Sequence, residues 1–507
     1  MTHSLITRKP TSGIVQLLCQ LSLPILAAIC ITIGATVIPE NASSVDDASA
    51  PGLMLQPAAR ITNVDCMSRR VVNTTADNGA GTLRQAVADV CANGTVVFSP
   101  AVFSVALTIT LAPAGQIEID KSLTIDGADG GVVEPTISGN GSTRVFQVDG
   151  GAQVVLNKLI IRNGYCNGCN GGGIYNSSVL SITNGTLISN SANSGGGVYN
   201  SNEGALTVTS VDILSNQAVI GGGIYNDGEA SVSGSYFGAN TATGSETATA
   251  SGGGFYNNNV LNVHGSMFSH NNANSGAVIW NGGALSTTDV EFFDNEADET
   301  GGGILNSGQA TIVNSSLVYN SAGLGGGMLN EPGGVLTVTN STLYGNSALW
   351  NGGLYNRGAV RIINSTLTSN NDGSAISGHG DGSAVGNHGD GLVFLVNTIL
   401  DRCDNDSSSL IEDGGHNLDS GTSCGFGLYD VTHSLSNTDP LLGPLASYGS
   451  ATLLLGLTVP SPAVRAGDPA ACPATDERGM RRHLPASCDI GAFESNWNYS
   501  YLPFTRH

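Results

Sequence analysis

The central part of the chain alternates apolar and polar residues over short stretches. Two representative segments are Ala205-Leu206-Thr207-Val208-Thr209 and Ala310-Thr311-Ile312-Val313. A period of two places successive side chains on opposite faces of a β-strand, whereas an amphipathic helix needs a period of about 3.6 residues. The pattern therefore predicts short strands that are each buried on one face.

Two recurrent motifs separate these strands. The first is a hexapeptide of the form GGGIYN, which begins at Gly171, Gly195, Gly221, Gly252, Gly276, Gly301, Gly325 and Asn351, with a degenerate copy at Gly382. The second motif has an apolar residue followed three positions later by an asparagine: Asn190, Asn216, Asn240, Asn271, Asn295, Asn320, Asn346 or Asn370. Hexapeptides start 24 residues apart (Gly171 to Gly195) to 31 residues apart (Gly221 to Gly252). The longer intervals predict surface insertions, one of them between Thr241 and Ser251.

A repeat of this length holds about three short strands, which fits one turn of a solenoid with parallel strands stacked between turns. The glycine triplet permits a positive φ and a close approach of neighbouring backbones. We expect the recurrent asparagine to adopt the left-handed conformation in a turn and to hydrogen-bond with its equivalents along the stack. The sequence thus predicts an all-β fold, a right-handed parallel β-helix of the pectate-lyase type with a cap at each end.

The N-terminal 40 residues carry an export signal. Arg8 and Lys9 precede an apolar stretch from Gly13 to Pro39, which has the order of a signal peptide and also exceeds the ~20 residues that a membrane span needs. Residues 1–40 are therefore a cleaved signal peptide or a retained membrane anchor, and residues 41–60 a linker. Either alternative predicts an exported protein, secreted or held at the cell surface, including the cell envelope with its outer membrane. Contact with a membrane is expected only through this apolar segment.

Eight cysteines outside the apolar segment fall into local pairs. An even set of cysteines in an exported protein predicts disulfides. The pairs are Cys66 with Cys91, Cys166 with Cys169, Cys403 with Cys424, and Cys472 with Cys488. The spacing of Cys166 and Cys169 also fits half of a redox or zinc site, but the export signal favours a structural disulfide.

Charge limits the range of partners. The chain has 40 acidic and 18 basic residues, a formal charge of −22, together with 70 glycines. Such a charge repels nucleic acid and anionic lipid, so nucleic acid is excluded as a partner. Glycans and cell-surface proteins are the partners that this charge permits.

Several segments resemble known families of exported proteins. The segments Phe237–Asn240, Phe268–Asn271 and Phe292–Asn295, with the glycine-rich hexapeptides, resemble the GGAI and FxxN repeats of polymorphic outer-membrane proteins. The flanks resemble bacterial exported β-helix proteins: Val72–Ala86 is similar to their N-terminal signature. Asp439–Leu445, Thr475–Gly479 and Cys488–Glu494 are similar to the choice-of-anchor Q domain. The resemblance implies surface display and adhesion and implies no reaction.

Pattern and resemblance together divide the chain into segments. Residues 61–150 form an N-terminal cap and the first coils, with a short helix between Gly81 and Ala92. Residues 151–400 form the β-helix repeats, 401–494 a C-terminal cap of the choice-of-anchor type, and 495–507 a tail. The caps are expected to cover the strand edges and core at the ends of the solenoid.

The sequence offers little for catalysis, and we assign no catalytic residue, cofactor or metal. No Lys or Arg occurs between Arg162 and Arg357, whereas a polysaccharide lyase needs a base and carboxylates for calcium. We interpret the acidic run from Asp289 to Glu299 as a solvated face or a weak cation site, and His264 and His270 as substituted repeat positions. The pattern favours a non-catalytic adhesive or structural protein, with a polysaccharide lyase or glycoside hydrolase as the alternative.

One column of aromatic residues is a candidate binding surface. Each member follows the inward residue of a hexapeptide and should point outward. The candidates are Tyr175, Tyr199, Tyr225, Tyr256, Trp280 and Tyr355, with Leu305 and Leu329 in the same column. Exposed rings in a row could bind sugars or a partner protein. The alternative is that the rings only stack on one another and shield the sheet.

Overall fold

The chain winds into a parallel β-helix, which confirms the predicted fold class. The computed structural model describes residues 66–111, 115–128, 130–244, 250–372, 383–426 and 431–495. The predicted export segment, the linker and nearly all of the tail lie outside these residues. Within them, no helix has both the length and the apolar character needed to cross a bilayer.

Two long sheets contain the hexapeptides and the strands that come directly after them. The first, which we call sheet C, holds 12 strands, and these include the last three residues of each hexapeptide. The second, sheet A, holds 14 strands, which come next in each coil. The strands of sheet C are Ile117–Ile119, Phe146–Val148, Ile174–Asn176, Val198–Asn200, Ile224–Asn226, Phe255–Asn257, Ile279–Asn281, Ile304–Asn306, Met328–Asn330, Leu354–Asn356, Val385–Asn387 and Cys403–Asn405. The strands of sheet A are Met67–Val72, Val90–Phe98, Leu123–Asp126, Gln153–Asn157, Val179–Thr183, Ala205–Thr209, Glu229–Ser233, Val260–His264, Ala284–Thr288, Gln309–Val313, Val335–Thr339, Ala359–Ile363, Leu392–Val396 and Leu410–Asp413.

Two further sheets complete each coil. Sheet B holds 13 strands: Thr108–Thr110, Thr136–Ser138, Ile160–Arg162, Thr186–Ile188, Asp212–Leu214, Tyr236–Gly238, Met267–Ser269, Glu291–Phe293, Ser316–Val318, Thr342–Tyr344, Thr366–Thr368, Ile399–Leu400 and Leu418–Asp419. Sheet D holds eight strands: Ser191–Ser194, Gln217–Ile220, Thr241–Ala242, Asn272–Ser275, Glu296–Thr300, Ser321–Leu324, Ser347–Trp350 and Asn371–Asp372. The central coils thus have four strands and not the predicted three. Polar segments such as Ser191–Ser194 carry no alternation, so only pairing with the next coil reveals them as strands.

The alternating residues divide as predicted between core and surface. Inward residues of successive coils, such as Ile174, Leu187 and Ile213, are fully buried in one continuous core. Inside it, the rings of Phe237, Phe268 and Phe292 stack with centroids 4.5 and 5.5 Å apart. Burial of this apolar column supplies the main driving force for folding.

The glycine triplet performs both predicted roles. Its first member has a positive φ, for example 66° at Gly195. A Cβ on the second member, Gly196, would lie 2.4 Å from the carbonyl oxygen of Gly222 in the next coil. Any side chain would therefore force adjacent coils apart.

The recurrent asparagine of the second motif does not adopt the left-handed conformation, so that expectation was wrong. The residue before it does, with φ of 51° at Ser215 and 54° at Ala239. This arrangement leaves the asparagine side chain buried inside the turn, where its amide nitrogen donates to the amide oxygen of the next coil. Asn216 donates in this way to Asn240 at 3.0 Å, and Asn240 to Asn271 at 3.0 Å. The predicted ladder of identical neighbours is thus confirmed.

A second asparagine ladder follows sheet C and was not predicted. The last residue of each hexapeptide is buried and donates to its counterpart in the next coil, as Asn176 does to Asn200 and Asn200 to Asn226, both at 2.7 Å. The same contacts continue to Asn405. The asparagine that ends every hexapeptide was the sequence signal from which this second ladder could have been predicted.

The two ends of the solenoid are closed differently. At the first coil, the helix Leu83–Asp89 lies within the predicted range from Gly81 to Ala92 and buries Leu83, Ala86 and Val87. The predicted helix was too long, because the strand Val90–Phe98 begins directly after Asp89. At the last coils, Phe426 joins the main core beside Cys403 and Cys424. All four expected cysteine pairs are disulfide-bonded: Cys66–Cys91, Cys166–Cys169, Cys403–Cys424 and Cys472–Cys488.

Residues 439–495, which we call the lateral segment, lie against the side of the solenoid, whereas the sequence predicts a cap on its end. It contains the antiparallel strands Leu442–Ala446 and Leu454–Leu457. The Thr475 carbonyl accepts from Asn340 at 2.7 Å, and the Thr366 hydroxyl accepts from the backbone N–H of Ala492 at 3.1 Å. Outward apolar residues of sheet B account for this docking, because Ile399 and Leu418 form a second small core with Ala463 and Ile490.

Deletion of one whole coil should be tolerated. The segment Gly301–Leu324 is one 24-residue period, and its removal joins Thr300 to Gly325, which begins an equivalent hexapeptide. Because each coil contacts chiefly its neighbours, we expect the shortened protein to keep a cooperative thermal transition and its β-type circular dichroism. Deleting only Gly301–Ile312 should broaden the transition, because the coil can no longer close. Equal damage from both deletions would contradict independent stacking.

Candidate functional site

The aromatic column lies on the outer face of sheet C. In each hexapeptide the aliphatic or aromatic residue before it points into the core, as Ile174 and Val198 do, and the asparagine after it is buried. The ring between them is partly exposed. Parallel pairing places equivalent residues side by side, with Tyr175 opposite Tyr199 and Tyr225 opposite Tyr256. Strand alternation therefore sets the direction of every ring.

Five consecutive rings form one continuous stack. Centroid separations along Tyr175, Tyr199, Tyr225, Tyr256 and Trp280 are 5.4, 5.0, 4.9 and 4.2 Å, with interplanar angles of 12°, 13°, 8° and 2°. We call these residues the ring stack. The spacing follows that of adjacent strands, ~4.8 Å.

The sixth candidate, Tyr355, does not belong to the ring stack. Leu305 pairs with Trp280 and Leu329 pairs with Tyr355, so two aliphatic residues interrupt the column. Tyr355 instead stacks on His388 at 4.6 Å. The Nε2 of His388 also lies 2.8 Å from Asn351 Oδ1. The sequence contains two His-Gly-Asp triplets, and His388 begins the second of them. The first, His379 to Asp381, lies outside the described residues.

Arg144 covers the first ring of the stack. Its guanidinium carbon lies 5.3 Å from the centroid of Tyr175. The guanidinium donates to the carbonyl oxygens of Asn170 at 2.7 Å and Gly171 at 2.8 Å, and it lies 3.3 Å from Cys166 Sγ. Burial lowers the pKa of Arg144. Sequence reasoning missed this residue because it precedes the repeats and has no counterpart in them.

Asp227 and Asn258 bridge the middle of the stack. The hydroxyl of Tyr199 donates to Asp227 Oδ2 at 2.9 Å. Asn258 Nδ2 donates to Asp227 Oδ1 at 2.7 Å and to the Tyr225 hydroxyl at 2.9 Å. Burial first, and then Asp227, raise the pKa of Tyr199 and of Tyr225 well above the ordinary tyrosine value, so both phenols keep their protons.

This geometry decides which part of each ring can meet a ligand. The inner ring faces contact one another, and the ring edges and hydroxyl groups face outward. Binding of a sugar on a ring face, which exposed aromatic residues allow, is therefore blocked within the stack. A ligand would contact edges, hydroxyls, Asp227 and Asn258.

The acidic run and the two histidines meet on neighbouring coils. His264 Nδ1 lies 3.6 Å from Asp289 Oδ2, and His270 Nε2 lies 3.2 Å from Asp294 Oδ2. Both histidines are about two-thirds exposed, at 66% and 62%. Glu291, on the strand between the aspartates, is partly buried, and this raises its pKa. Across the described ranges, no three His, Cys, Asp or Glu side chains converge as metal ligands would.

Comparison with known proteins shows no family for this chain. No family model and no curated protein matches the chain. Among solved structures it is similar to "Crystal structure of pectate lyase Pel9A", with 14% identity, 85% of this chain and 98% of that chain covered, and a TM-score of 0.33. It is also similar to "Geobacillus virus E2 - ORF18", with 12% identity, 69% of this chain and 60% of that chain covered, and a TM-score of 0.26. The sheet topology described above places the chain in the class of parallel β-helix proteins. The resemblance to polymorphic outer-membrane and choice-of-anchor proteins stays a prediction.

Proposed function

We propose that this protein is an exported, non-catalytic scaffold, secreted or displayed at the cell surface, with an adhesive role. The observation that carries the proposal is the continuity of the asparagine ladder from Asn190 to Asn370. A ladder that is satisfied in every coil stiffens the solenoid along its length, because each buried amide is bonded to the coils on both sides. Such a rod suits the display of a repeated surface.

The proposed contact surface is the outer face of sheet C along the ring stack. Tyrosine edges combine apolar area with a hydroxyl group, a combination suited to protein and glycan contacts. The formal charge of −22 favours neutral glycans or basic protein surfaces as partners. The charged N-terminal flank of the apolar segment and the resemblance to choice-of-anchor proteins support export and display.

Replacing Tyr199, Tyr225 and Tyr256 together separates binding from stability. Phenylalanine at the three positions keeps the stack and removes the hydroxyls, so the melting temperature should change little while binding to an immobilised glycan or cell-surface panel falls. Serine at the same positions removes the stacked area, and we expect it to lower the free energy of unfolding by about 3 kcal/mol, since each aromatic pair contributes about 0.5–1.5 kcal/mol.

The matched control is Tyr355→Phe, which changes a ring outside the stack. If the triple phenylalanine variant still binds, the tyrosine hydroxyls are not part of the contact surface and the rings have only a structural role.

The alternative, a polysaccharide lyase or hydrolase, rests on the His–Asp pairs of two neighbouring coils. Incubation with acidic and neutral polysaccharides tests it directly. Release of unsaturated or reducing ends that is abolished by Asp289→Asn or Asp294→Asn would contradict the scaffold proposal. No release, with the glycan still bound, would support it.

A further inference from the structure

The disulfide Cys166–Cys169 lies next to a buried positive charge. The Arg144 guanidinium is 3.3 Å from Cys166 Sγ and 4.0 Å from Cys169 Sγ. We propose that Cys166–Cys169 is a redox-active disulfide that oxidises a dithiol substrate by thiol–disulfide exchange, with Arg144 stabilising the Cys166 thiolate that this exchange releases. This proposal does not depend on what the ring stack binds.

The other contacts of Arg144 are with neutral groups. Its guanidinium donates to the backbone carbonyl oxygens of Asn170 at 2.7 Å and Gly171 at 2.8 Å. It also donates to the side-chain oxygens of Gln116 at 2.6 Å and Gln147 at 2.9 Å. Over the ranges that the structure describes, no carboxylate is among its partners, and burial lowers its pKa. Because a buried cation gains most from a close anion, a thiolate at this position would be strongly stabilised.

The β-helix does not need this disulfide to close the coil. Tyr165 and Asn170 pair with the two ends of the strand Ser191–Ser194, so six residues lie opposite four and the cysteines occupy a bulge. The strand Ser191–Ser194 and its counterpart Gln217–Ile220 in the following coil contain no cysteine. A bond between residues three apart also restricts the unfolded chain less than the other three disulfides, which join residues 16 to 25 positions apart. Stabilisation of the fold is therefore a weak reason for this pair.

Burial determines which sulfur an incoming thiolate attacks. Cys166 is 5% exposed, whereas Cys169 is exposed at the surface of the bulge. Attack therefore occurs at Cys169 Sγ, and Cys166 is the leaving group. Exchange is faster when the leaving thiolate is more stable, and the guanidinium lies closer to Cys166 than to Cys169. The same contact favours the reduced form at equilibrium, which makes the disulfide an oxidant of dithiols.

The exchange is balanced in atoms and electrons. One thiolate of the dithiol substrate attacks Cys169 Sγ and forms a mixed disulfide, while the Cys166–Cys169 bond breaks and its electron pair stays on Cys166. The second substrate thiolate then attacks the substrate sulfur of the mixed disulfide and releases Cys169. One of the two substrate protons ends on Cys169 and the other passes to solvent. The substrate has lost two electrons to the protein, and exchange with another disulfide compound reverses the steps.

Equilibration of the full chain in glutathione redox buffers tests the stability of the reduced form. After alkylation, peptide mass spectrometry gives the reduced fraction of each pair. We expect Cys166–Cys169 to be reduced at a glutathione ratio at which the other three disulfides stay oxidised. The pair Cys66–Cys91 controls for accessibility, because Cys66 is also exposed.

Three arginine variants test the role of the positive charge. Arg144→Gln keeps hydrogen-bond donors but removes the charge, so it should lower the equilibrium constant for reduction by glutathione about tenfold, which is about 30 mV for a two-electron couple. Arg144→Lys keeps the charge and should retain most of the effect. Arg361→Gln is the matched control, because Arg361 lies on the Phe394 ring at 4.3 Å. Circular dichroism confirms folding of each variant.

Serine variants show which sulfur reacts with the substrate. Incubated with oxidised glutathione, Cys166→Ser should form a mixed disulfide at Cys169, and Cys169→Ser should form at least about tenfold less, because its thiol is buried. A reduced synthetic peptide with two cysteines should gain one disulfide for each molecule of the unsubstituted protein. The proposal is overturned if Arg144→Gln leaves the glutathione equilibrium unchanged. It is also overturned if Cys166–Cys169 stays oxidised together with the other three pairs, since the disulfide is then only a structural link.

Discussion

Replacing Asn240 by alanine is expected to lower the free energy of unfolding by about 4 kcal/mol, because four buried polar groups lose their partner. The Asn240 side-chain oxygen accepts from the backbone and side-chain nitrogens of Asn216, both at 3.0 Å. Its amide nitrogen donates to the Ile213 carbonyl at 2.8 Å and to Asn271 at 3.0 Å. Urea denaturation followed by circular dichroism measures the change.

Two further substitutions define the cause. Asn240→Asp keeps an acceptor but removes both donors and adds a buried charge, so it should destabilise at least as much as alanine. Asn202→Ala, at an exposed turn position of a neighbouring coil, should change the free energy of unfolding by less than about 0.5 kcal/mol. A loss for Asn240→Ala no larger than that for Asn202→Ala would show that the ladder contributes no net stability.

Substitution of Glu477 by glutamine is expected to stabilise the protein above neutral pH. Glu477 belongs to the lateral segment and is 1% exposed where that segment meets sheet B. Its carboxyl group accepts from the hydroxyls of Thr342 in sheet B at 2.6 Å and of Thr452 in the lateral segment at 3.2 Å. The neighbouring arginines pair elsewhere, Arg478 with Asp476 and Arg482 with Glu494. Burial therefore raises the pKa of Glu477 well above that of an ordinary carboxyl group.

The direction of the pH dependence follows from that raised pKa. The unfolded state releases the Glu477 proton above a pKa of about 4.3, whereas the folded state keeps it. The stability that the protonated carboxyl group contributes is therefore fully present below that pH and is lost as the pH rises towards the pKa of Glu477 in the folded state. The loss is about 1.4 kcal/mol per pH unit for one proton. As the pH rises from 5 towards the folded pKa, the stability of Glu477→Gln should therefore increase steadily relative to that of the unsubstituted protein, by at most about 1.4 kcal/mol per pH unit.

Denaturation across a pH series tests this expectation, with hydrogen exchange of the strand Leu454–Leu457 as a local readout of the lateral segment. Glu203→Gln, at an exposed turn, is the control and should leave the pH profile unchanged. Parallel profiles for Glu477→Gln and the unsubstituted protein would contradict a protonated buried carboxyl group.

These two residues illustrate two levels of organisation in one solenoid. Asn240 acts within the repeat, where its partners are the equivalent residues of adjacent coils. Glu477 acts outside the repeat, where a segment from the end of the chain covers sheet B. Damage at Asn240 should spread along the stack through its neighbours, whereas ionisation of Glu477 should release the lateral segment first.

The sequence by itself determined the coil. Alternation set which residues, such as Ile174 and Leu187, enter the core, and the glycine triplet marked the corner where coils approach closely. The hexapeptide and the Asn motif determined the length of the repeat. The export signal, together with an even number of cysteines in local pairs, predicted the disulfides. These features were readable because each coil repeats the same short-range requirement, and a partner lies one period, about 24 to 31 residues, away.

Only the tertiary structure decided which residues cover the outer faces of the sheets. Thr342 and Glu477 are 135 residues apart, and no period connects them. The contact of Arg144 with Tyr175 and the bridge from Tyr199 through Asp227 to Asn258 are likewise outside the repeat. They depend on Arg144, Asp227 and Asn258, and each of these residue types occurs once in its column. Hydrophobic alternation predicts that a side chain points outward. It does not distinguish an outer face that is open to water from one that another segment covers. Contacts that follow neither the repeat length nor the hydrophobic pattern are therefore determined only once the coils are stacked.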